Sequence, residues 1–112
     1  MKTIVVCATA FCTTWANVAG AAEVVGQGAQ SCATWTKQLR LSDSSLSYVN
    51  EAWVLGFLSG RNFYSSAAIT IPEANAVSAW ITNYCAANPV DTIAQAAAEL
   101  ANYLHDRRGP SR

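Results

Sequence analysis

Residues 46–64, LSYVNEAWVLGFLSGRNFY, form the longest helical pattern in the chain. At about 100° per residue, Tyr48, Ala52, Leu55, Phe63, Gly56, Val49, Gly60, Trp53 and Tyr64 cover roughly half the circumference. Asn50, Glu51, Arg61 and Asn62 fill the remaining sector. An apolar arc that wide predicts a central helix touched by several others. Gly56 and Gly60 lie one turn apart on the arc. Each costs a helix about 1 kcal/mol against alanine. Close approach of another backbone is the compensation expected there.

Toward the N-terminus, Cys32, Trp35 and Leu39 fall at i, i+3 and i+7, which predicts a helix over 32–41. Ser42-Asp43-Ser44-Ser45 makes a turn and offers N-caps. Toward the C-terminus, Thr70-Ile71-Pro72-Glu73 has the form of a capping box. It predicts a third helix from near Pro72 to near Ala87, with a stripe of Val77, Trp80, Ile81 and Tyr84, and Cys85 at its edge. Asn88 and Pro89 suit the cap and first position of a fourth helix. Its inner face is Ile93, Ala97, Leu100 and Leu104, its outer face Gln95, Glu99, Asn102 and Asp106, and Gly109-Pro110 stops it. The stretch 67–71 is too short and isolated to compete as a strand. The fold class expected is all-α, a small four-helix bundle.

The first 21 residues read as a secretory signal. Lys2 is the positive start, an apolar run extends from Ile4 to Trp15, and Ala19-Gly20-Ala21 supplies small residues for cleavage. Residues 22–30 are expected to be a flexible leader, 31–108 the helical domain and 109–112 a loose tail. A periplasmic location follows. No later apolar stretch exceeds Ala52–Leu58, far short of the roughly 20 residues a membrane span needs. Cys7 and Cys12 leave with the signal. Cys32 and Cys85, 53 positions apart, are then most simply one disulfide, because the compartment is oxidising. They form no CxxC, and one distant histidine completes no zinc set. Closing so long a loop contributes about 4 kcal/mol on the chain-entropy account.

Seven Lys+Arg against seven Asp+Glu give no basic face, which argues against nucleic acid as a partner. With 12% charged and 52% hydrophobic residues, the chain is not a disordered one. The catalytic inventory is sparse. His105 is the only histidine, and no serine sits in a nucleophile elbow. No catalytic residue, metal ligand or cofactor site is expected, and the protein reads as non-enzymatic. Glu51, the one carboxylate on the second helix, is a buried acid, a partner of Arg61 or a solvated side chain. The surplus is aromatic. Three tryptophans, two phenylalanines and four tyrosines follow residue 21, too many for so small a core to hide. Trp53, Phe57 and Tyr64, at the border of the wide arc, are the candidates for a client-binding or dimer surface.

Three features in order resemble the HdeA/HdeB family of acid-stress chaperones. Cys32 opens a first helix. Ala52-Trp53-Val54-Leu55-Gly56-Phe57-Leu58-Ser59-Gly60 lies in the second. Tyr84-Cys85-Ala86-Ala87-Asn88-Pro89 leads into a last amphipathic helix. The resemblance implies a small exported all-α protein with one disulfide, dimeric near neutral pH, that holds unfolded clients when acid loosens the dimer. Protonating seven carboxylates and His105 would take the side-chain charge after cleavage from −1 to +7. Glu51 is the first candidate for the switch. The chain also resembles the Rap/Tai immunity proteins of type VI secretion, in the glycine-bearing helix and the proline-led last helix. That resemblance implies a single partner enzyme in the periplasm.

Overall fold

The computed structural model describes residues 23–107. The signal segment 1–21 and the tail 109–112 lie outside them. Four helices follow a 3-10 turn at Gly26–Ala29: α1 (Cys32–Leu39), α2 (Ser45–Tyr64), α3 (Ala74–Ala87) and α4 (Ile93–Asp106). The molecule is the small all-α bundle expected from the sequence.

α1 starts where Ser31 Oγ accepts the Thr34 amide at 3.2 Å. Two further amides of its first turn are orphans that a helix cannot satisfy internally. Cys32 N–H donates to the Asp91 carbonyl (2.7 Å) and Ala33 N–H to the Pro89 carbonyl (3.0 Å). The Ile93 amide donates back to the Gln30 carbonyl at 2.9 Å. The chain entering α1 is thus stitched to the chain entering α4. The Cys32–Cys85 disulfide joins α1 to α3 at the same end, with Cα atoms 4.7 Å apart. Trp35, buried behind it, donates its indole N–H to Thr82 Oγ1 at 3.0 Å. A buried donor without such a partner would be costly.

The caps differ from those expected. Asn88 does not start α4 but ends α3, its amide and side chain both donating to the Tyr84 carbonyl. Residues 88–91 then turn, and Thr92 starts α4 in a reciprocal capping box with Gln95. Tyr84 pins the turn by donating its hydroxyl to Asp91 Oδ2 at 2.6 Å. The Thr70–Glu73 box is not formed either. α3 begins two residues after Pro72, with Glu73 in the cap position and no side-chain cap bond. Residues before it run extended because Ile69 is buried and its backbone is claimed by Asn62. Asn62 Oδ1 accepts the Ile69 amide (2.9 Å) and Asn62 Nδ2 donates to the Ile69 carbonyl (2.8 Å).

α2 is rotated relative to the sequence reading. Its buried residues are Asn50, Val54 and Leu58, one per turn. Asn50, placed by the pattern on the solvent side, is 1% exposed. It accepts from Gln27 Nε2 and donates to Gln38 Oε1, both at 2.6 Å. A buried amide with both ends bonded is tolerable. Arg61, also assigned to solvent, turns to donate to the Ala67 carbonyl at 3.0 Å. Only three of twenty residues of α2 are buried, against six of fourteen in α4. Four of those six are alanines, whose small size lets α1, α2, α3 and the 3-10 turn all reach α4. α2 also touches every other element, as its wide arc predicts, so α2 and α4 share the centre of the bundle.

The leader is a packed strap. Gly26 holds a left-handed φ of 77°, and Gly28 is buried against the Trp53 ring. The Trp53 indole N–H donates to the Val25 carbonyl at 3.1 Å. Gly56 and Gly60, by contrast, have open space where a Cβ would stand, so the backbone approach expected there does not occur among the described residues.

The glycines give opposite predictions. Gly28→Ala forces a methyl into the Trp53 ring and should cost about 1–3 kcal/mol. Gly56→Ala and Gly60→Ala should each stabilise the isolated protein by about 0.5–1 kcal/mol. Urea denaturation of the three variants checks both signs. The Tyr84–Asp91 bond gives a second prediction. Donation to the carboxylate, with burial and the negative charges of Asp91 and Glu99 adding, raises the Tyr84 pKa to about 12 from 10.0. Because the folded value lies above the unfolded one, this contribution is complete below about pH 10 and is lost as the pH climbs toward 12. Ultraviolet titration of the folded protein should show a phenol ionising near pH 12 that disappears in Tyr84→Phe.

Candidate functional site

The rotation of α2 that buries Asn50, Val54 and Leu58 turns the opposite face outward. Around that face lie Tyr48, Ser59, Ala52, Phe63, Gly56, Val49 and Gly60, with no charged side chain among them. Ala52, Gly56 and Gly60 follow one another at four-residue intervals and make a low ridge along the helix. Aromatic rings stand at its ends. Tyr48 is 67% exposed, Phe63 82% and Tyr64 89%. The Phe63 and Tyr64 rings tilt against each other at 5.3 Å. Those two rings alone leave on the order of 300 Å² in water. That is already the size of the largest apolar patch on an ordinary monomer.

The three residues singled out from the sequence take different places. Tyr64 is on this exposed surface. Trp53 and Phe57 are half-buried at its flank, stacked on each other with centroids 5.6 Å apart. Trp53 is also engaged by the strap, so it is a support for the surface more than a part of it. Tyr48, Val49 and Phe63 were assigned to the inner arc and are surface residues. Ser59, a polar residue in the middle of that sector, held a signal for this, and Val54 and Leu58 fill the core side.

Glu51 is half-buried on the inner side of α2 and accepts a hydrogen bond from Ser78 Oγ of α3. It is not paired with Arg61. His105 lies 3.6 Å from Asp106 on the exposed end of α4, with no serine bonded to it. Among the described residues, no three of His, Cys, Asp and Glu gather as metal ligands would. No helix among them is long and apolar enough to cross a membrane. The α2 face offers no ionised group for proton transfer or charge stabilisation. What it can do is bury area against another surface.

Comparison with known proteins finds no matching protein-family model, no matching curated protein and no matching solved structure.

An outward face makes little contribution to the fold. Phe63→Ser and Tyr64→Ser should each change unfolding free energy by less than about 0.5 kcal/mol. They should nonetheless sharply reduce the fluorescence of an apolar dye mixed with the folded protein at neutral pH. Denaturation and dye titration on the same samples check the two effects.

Proposed function

We propose that this chain is an exported, non-enzymatic protein-binding module that grips one dedicated protein on the outer face of α2. The observation that carries the reading is an uncharged face, low along Ala52, Gly56 and Gly60 and aromatic at its ends, that stands open in the folded molecule. A low ridge lets a partner's backbone approach closely, and the exposed rings supply anchors of the kind that dominate interface energetics. Because the face is already formed, binding at neutral pH needs no unfolding. That favours the inhibitor or immunity type of activity implied by the resemblance to the Rap/Tai proteins. Export rests on the signal-like character of residues 1–21.

The second reading is the acid-activated holdase implied by the HdeA/HdeB resemblance. It is favoured by Glu51, whose carboxylate ties α2 to α3 through Ser78. Protonation would weaken that tie and, with the gain of charge elsewhere, loosen α2 from the bundle.

A photo-crosslinking residue at position 63 separates these readings. A dedicated binder should capture a single exported protein at neutral pH, in a complex that Gly56→Glu abolishes without unfolding the chain. A holdase should capture no protein other than a second copy of this chain at neutral pH and should suppress client aggregation at about pH 2–3, where carboxylates are protonated. Capture of a second copy of this chain at neutral pH, coupled with acid-only suppression, would overturn the first reading in favour of the second.

A further inference from the structure

We infer that the cleft between α1 and the C-terminal end of α3 binds a small amphiphilic carboxylate, with the anion held between Lys37 and Arg40 and its apolar tail in the cleft. The cleft measures about 420 Å³ and shares no residue with the α2 face. Its walls are apolar: Ala33 and Leu41 on one side, Ala86 and Pro89 on the other, with half-cystine Cys85 also lining it. Small-molecule sites are of this size and character, mostly apolar with a few placed polar groups.

The polar side chains here are Thr36 and two cations, Lys37 and Arg40. Ala33, Lys37 and Arg40 fall at i, i+4 and i+7, so both charges flank one face of α1 beside the cleft. Neither has a carboxylate within ion-pair distance, nor a side-chain hydrogen bond, among the described residues. The other arginines among the described residues are occupied. Arg61 donates to the Ala67 carbonyl, and Arg107 donates to the Tyr103 hydroxyl. An arginine fork beside a lysine matches a carboxylate in charge and shape. The site is also preformed. The disulfide and the bonds from Cys32 N–H to Asp91 and from Ala33 N–H to Pro89 fix one wall against the other. Binding there therefore has little ordering cost. The same bonds leave the Ala33 amide unavailable to a peptide backbone, which favours a free small molecule over the C-terminus of a protein.

The test is a titration of the folded protein with octanoate at neutral pH, followed by methyl NMR. Saturable shifts are expected at Ala33, Leu41 and Ala86. Octanol, which lacks the charge, and acetate, which lacks the tail, should each bind at least about tenfold more weakly. The double variant Lys37→Ala/Arg40→Ala should lose octanoate by a similar factor. Both side chains are exposed, and circular dichroism of the variant confirms that the fold is intact. The inference is overturned if octanoate gives no saturable shift at millimolar concentration, or if octanol binds as well. It is equally overturned if the shifts fall on the α2-face methyls of Val49 and Ala52 while the cleft stays silent. None of these outcomes bears on the capture experiment at position 63.

Discussion

The disulfide between Cys32 and Cys85 is the constraint on which the arrangement of the other elements depends. α1 has eight residues, well below the length at which a helix holds itself together in water. It persists because its first turn is fixed at three points: a covalent bond to α3 and two amide bonds into the 88–91 turn. Those same bonds set the exit of α3 and the entry of α4. One end of the bundle is thus a knot of short-range and long-range ties, and α1, α3 and α4 radiate from it. A stability contribution of about 4 kcal/mol for such a loop is a large share of the roughly 5–15 kcal/mol available to a domain of this size.

With that end fixed, α2 is left with a smaller task. It lies across the bundle and fills it with Val54 and Leu58, while Asn50 is tied to glutamines of the strap and of α1. A narrow inner strip on a twenty-residue helix leaves a broad outer one. Proteins commonly dress such a face with lysine and glutamate. Here it carries glycine, alanine, serine and aromatic rings. Among the described residues, none packs close enough to offset the helix propensity lost at Gly56 and Gly60. Contact with the proposed partner would supply that compensation.

Much of this was legible in the residues. The four helices and the inner faces of α3 and α4 follow from spacing, because Val77, Ile81 and Ile93, Ala97, Leu100 have polar residues opposite them, and the disulfide follows from the pair of cysteines left after residue 21. The orientation of α2 does not follow. Apolar side chains occupy both its inner and outer sides, so the pattern has no clear direction. The fact that decides it, an amide network from Gln27 through Asn50 to Gln38, joins residues distant in sequence. Asn50 looks solvated until its partners are known. The caps failed for a related reason. Thr92-Ile93-Ala94-Gln95 has the same form as Thr70-Ile71-Pro72-Glu73, and only the burial of Ile69 and the turn held by Tyr84 and Asp91 select the former. Gly28 gave no sign of its role, since the ring that covers it belongs to Trp53, far along the chain.

The two proposed binding surfaces differ in the physics available to them. The α2 face has no charge, so a partner is neither steered toward it nor repelled by it. Affinity there has to come from area and close approach, and association has the modest rate of an unsteered encounter. Ionic strength and the protonation of side chains leave such a face itself unchanged. Acid can therefore alter binding at α2 only by changing the fold beneath it, through Glu51 and the net charge of the whole chain. The cleft at α1 is the reverse case. Beside the burial of an apolar tail, its proposed attraction has an electrostatic part, weakened by salt and lost when a carboxylate ligand is protonated. The chain thus separates an interaction that ignores its ionic surroundings from one that responds to them, and places the disulfide beneath the second.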